Sequence, residues 1–69
     1  MLGQKQETIL KIIEKDGRIS LAQVKTLYYE RGPIAKSTLL SMEMMGWIKQ
    51  KETLGLTVWV RGPKFPVIS

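Results

Sequence analysis

The sequence predicts a small α+β domain in which three helices are followed by a C-terminal two-stranded β-hairpin. Three observations support this fold class. Apolar residues recur with helical spacing up to Gly46, a helix-capping pattern lies at Ser20, and β-branched and aromatic residues are concentrated after Gly46. An isolated hairpin is only marginally stable in water, so we expect it to pack against the helices.

The first helix is predicted over residues 4–15. Ile9, Leu10 and Ile13 fall on one side of this segment, which gives it a single face to bury. Gly17 is expected to end it, because glycine accepts the left-handed conformation found just after many helices.

The second helix is predicted to begin after Ser20. Ser20 and Gln23 have the spacing of a capping box, and Ile19 and Val24 have the spacing of the hydrophobic staple that accompanies it. The helix is expected to end before the Arg-Gly-Pro sequence of residues 31–33, which cannot continue a helix. The residues expected on its apolar stripe are Leu21, Val24, Leu27 and Tyr28.

The third helix is predicted over residues 35–45 and is expected to end at Gly46. Its apolar stripe consists of Ala35, Leu39 and Met42. The connection from the second helix is only a few residues long, so these two helices must pack as neighbours.

The hairpin is predicted from two extended segments, residues 47–51 and 56–60, joined by a turn at residues 52–55. Residues 18–19 are predicted to form a further, very short extended stretch before the second helix. The hairpin residues expected in the core shared with the helices are Ile48, Val58 and Val60.

The chain length fits one domain, which we place at residues 1–62 of the 69, followed by an extended tail at 63–69. The chain has no cysteine and no histidine, so it lacks a disulfide, a thiolate metal site and the commonest general base. We therefore expect neither an enzyme nor a cofactor or metal site. The sequence shows no apolar run long enough for a transmembrane helix and no signal-peptide pattern, which favours a cytoplasmic location, nucleoid-associated in a prokaryote.

The net charge of +5 is unevenly distributed along the chain. Residues 1–30 hold five basic and four acidic residues, a net charge of +1, whereas residues 31–69 hold six basic and two acidic residues, a net charge of +4. The C-terminal half is therefore expected to face an anionic partner such as nucleic acid.

Two motifs resemble those of the winged helix-turn-helix DNA-binding superfamily, which includes small transcription regulators. Residues 33–39, PIAKSTL, resemble the start of the family's recognition helix, and residues 42–48, MEMMGWI, resemble its end and the first strand of the wing. The resemblance covers residues 4–61. It implies binding of double-stranded DNA, with helix 35–45 in the major groove and the 47–60 hairpin on the phosphate backbone.

The candidate DNA-binding residues lie on the third helix, the hairpin and the tail. On the helix, three polar residues point away from the apolar stripe; on the hairpin, Lys49 and Lys51 alternate and so share a face. A solvated helix face and the lysine protection of a strand edge are the alternative interpretations. The full set of candidates is Lys36, Ser37, Ser41, Lys49, Lys51, Arg61 and Lys64.

A second set of residues favours a protein-protein interaction module instead, or a homodimer contact. By helical phase Leu40 and Met44 are exposed, where a base-reading surface would carry Arg, Asn or Gln, and the tail is apolar. Contact with thymine methyl groups and cover by the C-terminal tail are the less favoured interpretations of Leu40 and Met44. The candidates for a protein interface are Leu40, Met44, Phe65, Val67 and Ile68. A third hypothesis is binding of single-stranded nucleic acid by stacking on Trp59, although packing within the protein is favoured for Trp47 and Trp59.

Overall fold

The computed structural model describes residues 3–67, which form three helices and a three-stranded antiparallel sheet. The predicted α+β class is confirmed, but the sheet has one strand more than the predicted hairpin. The elements in chain order are α1 (Gln4–Asp16), β1 (Arg18–Ser20), α2 (Leu21–Tyr28), α3 (Gly32–Met44), β2 (Ile48–Thr53) and β3 (Leu56–Arg61).

Helix α1 forms as predicted and is one residue longer at its end. Ile9, Leu10 and Ile13 are buried in the core. Gly17 follows the helix with φ of 86°, a left-handed conformation, and donates its backbone N–H to the carbonyl oxygen of Ile13.

Helix α2 begins with the predicted capping box. The backbone N–H of Gln23 donates to Oγ of Ser20 over 3.2 Å, and the backbone N–H of Ser20 donates to Oε1 of Gln23 over 2.9 Å. One predicted stripe residue is wrong: Leu27 is 45% exposed. The helix has only eight residues, and Leu27 in its last turn lines an open groove with Ile12 of α1 instead of entering the core.

Replacing Ser20 with alanine is expected to lower the free energy of unfolding by about 1 kcal/mol, because the first turn of α2 loses an acceptor for one of its unpaired N–H groups. Urea denaturation followed by circular dichroism measures the change. Ser37→Ala is the matched control, because Ser37 is exposed on α3, and its effect should stay within about 0.5 kcal/mol. Equal effects of the two substitutions would contradict a stabilising cap at Ser20.

Helix α3 begins at Gly32, three residues before the predicted start. The reason is that Pro33 lies in the first turn, where backbone N–H groups have no acceptor within the helix. The absence of an N–H in proline therefore removes no helical hydrogen bond. The predicted stripe is confirmed, since Ala35, Leu39 and Met42 are all buried.

The sheet has the strand order β1-β3-β2, so β3 is central. Strand β2 continues to Thr53, and only Leu54 and Gly55 form the turn, with φ of 51° and 79°. Positive φ at both central residues is typical of the type I′ turn, one of the two common two-residue hairpin turns. The predicted four-residue turn at 52–55 is therefore too long.

The predicted face of β3 is also wrong. Trp59 pairs with Ile19 of β1 and with Gln50 of β2, and it belongs to the core cluster that the helices form. Because side chains alternate along a strand, Val58 and Val60 lie on the other face of the sheet. Val58 is nevertheless buried, since it lies on the central strand between neighbouring side chains of β1 and β2.

The segment after β3 is bound to the domain through backbone hydrogen bonds. Gly62 donates to the carbonyl oxygen of Trp47 over 2.8 Å, and Lys64 donates to that of Gly46 over 2.8 Å. Phe65 then packs against the core cluster. Within residues 3–67 the structure contains no helix with the length and apolarity required to cross a bilayer.

Candidate nucleic-acid interface

Helix α3 presents one continuous exposed surface, which we call the outer face of α3. Its residues follow the helical spacing opposite the buried stripe and line a shallow depression. They are Pro33, Lys36, Ser37, Leu40, Ser41 and Met44.

The core fixes which side of α3 faces outward. Ala35, Leu39 and Met42 are fully buried, so the helix cannot rotate without exposing them. A hydrogen bond also fixes the orientation of α3. Nε1 of Trp59 donates to Oε1 of Glu43 over 3.1 Å, which joins the C-terminal part of α3 to the central strand. The outer face is therefore held on a rigid element, as a recognition surface requires.

The polar groups of the outer face are available to a partner. Thr38 donates its hydroxyl back to the carbonyl oxygen of Ile34 over 3.3 Å, whereas among residues 3–67 the hydroxyls of Ser37 and Ser41 have no such bond. Lys36 makes no ion pair with any carboxylate of the described chain. This face thus offers one cation and two hydroxyls that can each donate and accept.

A second exposed surface lies on the sheet. Lys49 of β2 and Arg18 of β1 both pair with Val60 of β3, one on each side, and Lys51 pairs with Val58. Paired residues of antiparallel strands point to the same side, so these three cations share the sheet face that points away from the core. We call Arg18, Lys49 and Lys51 the basic sheet face.

Arg18 was not among the predicted site residues, although the sequence holds a signal for it. The buried Ile19 lies between the exposed Arg18 and the half-buried Ser20, which is the period-two pattern of a strand with one buried side. A three-residue stretch is too short to be assigned as a strand on pattern alone. Its partner strand β3 is also distant in the sequence, since even the nearest pair, Ser20 and Val58, is 38 positions apart.

Arg61 and Lys64 do not join the basic sheet face. Arg61 pairs with Ile48, whose buried side chain lies on the core face of the sheet. The guanidinium of Arg61 lies 4.4 Å from the ring centroid of Phe65. The methylene chain of Lys64 covers Gly46, where a β-carbon would lie 3.1 Å from Cδ of Lys64. Arg61 thus covers Phe65 with its guanidinium, and Lys64 covers Gly46 with the apolar part of its side chain.

Four of the six carboxylates lie away from the two surfaces or are engaged elsewhere. Glu7 pairs with Lys11 over 3.1 Å, and Glu30 pairs with Lys5. Glu43 accepts the bond from Trp59. Glu52 pairs with Thr57, one register position from Lys51, so it lies on the opposite face of the sheet from the three cations.

Trp59 is not available for stacking on unpaired bases, because only 2% of its surface is exposed. The favoured packing role is confirmed for this residue, and Trp47 likewise packs against the core cluster. The stacking of unpaired bases on Trp59, which the third hypothesis uses together with the hairpin, is therefore contradicted.

The residues predicted for a protein interface are divided between different environments. Leu40 and Met44 are exposed on the outer face of α3, beside the polar candidates. Phe65 is half-buried against the core, and Val67 is almost fully exposed. Ile68 lies outside the described residues.

The known proteins provide no further guide to this site. The chain matches no protein-family model, no curated protein and no solved structure. Among residues 3–67 no three side chains of the metal-binding types lie together. The function therefore has to be inferred from the outer face of α3 and the basic sheet face.

Proposed function

We propose that this chain is a winged helix-turn-helix domain that binds double-stranded DNA. The observation that carries the proposal is the arrangement of charge: Lys36 on α3 and the three cations of the basic sheet face have no carboxylate partner among residues 3–67. The order of three helices and a hairpin is the order that the sequence resemblance implies. Transcription regulation is the role we propose for such a domain.

In this mechanism α3 enters the major groove and the hairpin lies along the adjoining backbone. An α-helix with its side chains fits the width of the major groove, where the base pairs can be told apart. Lys36, Ser37 and Ser41 then reach phosphates or base edges. The basic sheet face, Arg18, Lys49 and Lys51, binds phosphates, which supplies affinity but no sequence information. One short helix contacts few base pairs, so a homodimer on two half-sites would multiply the specificity.

Affinity for duplex DNA is expected to fall steeply with salt. Four phosphate contacts, by Lys36 and the basic sheet face, predict a slope of about −3.6 in log affinity against log salt, or a loss of about 150-fold between roughly 50 and 200 mM. Fluorescence anisotropy with a labelled duplex of random sequence measures it. Tight binding with a slope near zero, or no binding at the lower salt concentration, would contradict the proposal.

A protein-interaction module is the second candidate, because Met44 is 88% exposed and Leu40 is 36% exposed on the same helix face. Apolar side chains clustered on an exposed face are typical of protein interfaces. This function predicts that the chain does not bind duplex DNA at low salt. It also predicts that Leu40→Asp, which places a charge on the apolar part of the outer face, abolishes association with the partner.

A further inference from the structure

We infer that the outer face of α3 recognises thymine methyl groups, so that the domain prefers A·T-rich duplexes through its apolar side chains. This inference rests on the proposed DNA binding and names the kind of base that the site would read. It is carried by what the outer face contains and by what it lacks.

The side chains that read the other base edges by hydrogen bonding are almost absent from this face. Guanine is read by Arg or Lys, adenine by Asn or Gln, and cytosine by Glu or Asp. Of these types the outer face holds only Lys36, because Glu43 is turned toward Trp59. Recognition of bases by hydrogen bonding could therefore use only one long donor, Lys36, and the two short hydroxyls of Ser37 and Ser41 on this face.

Apolar residues, in contrast, make up half of the face, with Pro33 at its N-terminal end, Leu40 at its centre and Met44 at its C-terminal end. Lys36, Leu40 and Met44 are spaced four residues apart and form one row along α3, beside a second row of Pro33, Ser37 and Ser41. The only apolar group on the major-groove edge of the bases is the C5-methyl of thymine. Leu40 and Met44 are thus matched to thymine by chemistry, and the cation of the same row is matched to phosphate.

The mixture of groups favours DNA over a protein as the occupant of this face. An apolar protein surface would bury the hydroxyls of Ser37 and Ser41 among Leu40 and Met44 without partners, which is unfavourable. The major groove offers acceptors and donors beside each methyl group. The cations that lack carboxylate partners complement a polyanion as well.

The test changes the methyl groups of the DNA and leaves the protein intact. Duplexes of alternating A and T, about 20 base pairs long, hold two half-sites one turn apart. They are compared with the same duplexes carrying uracil in place of thymine, which differ only in the C5-methyl group. Alternating G and C duplexes, with and without 5-methylcytosine, restore a methyl group at the same place in the groove.

The thymine duplex is expected to bind at least about ten-fold more tightly than the uracil duplex, since each buried methyl group contributes about four-fold. Methylated cytosine should regain part of the affinity that the G·C duplex lacks. In the variant Leu40→Ala/Met44→Ala the difference between thymine and uracil should disappear while the salt slope stays unchanged. Leu27→Ala, a leucine truncation on α2, should keep the difference.

Two other outcomes would overturn the inference in distinguishable ways. Equal, steeply salt-dependent affinity for the thymine and uracil duplexes would leave DNA binding in place and reject methyl recognition. No binding to any of the four duplexes at low salt would reject both, and would leave the outer face of α3 as a surface for a protein.

Discussion

Replacing Gly62 with alanine is expected to destabilise the domain by about 3 kcal/mol and to lower its melting temperature by about 12 to 24 °C. A β-carbon at Gly62 would lie 2.6 Å from the carbonyl oxygen of Gly46, 2.8 Å from the backbone nitrogen of Ile48 and 2.9 Å from the carbonyl carbon of Trp47. All three are backbone atoms, so rotation of a side chain cannot relieve these close contacts. The end of α3, the start of β2 or the end of β3 would have to move instead.

Gly32→Ala is the matched control for this prediction. A β-carbon at Gly32 meets no atom within 4 Å outside its chain neighbours and its own helix. Alanine favours the helix over glycine, but Pro33 disfavours the helical conformation of a preceding residue that carries a β-carbon. These two effects oppose each other, so we expect the stability of this variant to stay within about 1 kcal/mol of the parent. Thermal and urea denaturation measure both variants, and an unchanged melting temperature for Gly62→Ala would show that the three segments are not tightly packed.

A loss of this size is large for such a small domain. Chains of this length typically have about 3 to 10 kcal/mol of stability in total. The segment from Gly46 to Ile48 and the end of β3 approach so closely because Gly62 donates to the carbonyl oxygen of Trp47. The sequence marks Gly62 only as the end of a strand, since the approach depends on residues 14 or more positions away.

Local signals predicted the helices well because their determinants lie within one or two turns. The capping box at Ser20 and Gln23 and the buried stripe Ala35, Leu39 and Met42 involve residues three to seven positions apart. The start of α3 was missed by three residues, because Pro33 serves either to end one helix or to begin the next.

The face of β3 could not be predicted from alternation alone. Residues 58–60, Val-Trp-Val, are apolar on both faces of the strand, so a period of two does not say which face meets the helices. The pairing of Trp59 with Ile19, 40 positions earlier, decides it by placing both residues in one core cluster. Only a long-range register holds that information.

The candidate site shows the same division between local and long-range information. Helical phase was enough to place Lys36, Ser37 and Ser41 on an exposed face. Strand parity was enough to place Lys49 and Lys51 together. Adding Arg18 to them and separating Arg61 from them required the register of the whole sheet.

The double variant Lys49→Glu/Lys51→Glu is expected to lose at least about 60-fold in affinity for duplex DNA at roughly 0.1 M salt. Each phosphate contact contributes about eight-fold at that salt concentration relative to 1 M, and the new carboxylates add repulsion. The slope of log affinity against log salt should become shallower by about 1.8. Anisotropy titrations at several salt concentrations measure both quantities.

The control for this variant has to carry the same net charge. Lys15→Glu/Lys25→Glu changes the charge by the same amount, from +5 to +1, on exposed positions of α1 and α2 outside both proposed surfaces. If the position of the lysines determines the affinity for DNA, the control variant keeps most of its affinity and its salt slope. If the two double variants lose affinity equally, the attraction comes from the net charge of the whole domain, and the hairpin has no special role at the phosphate backbone.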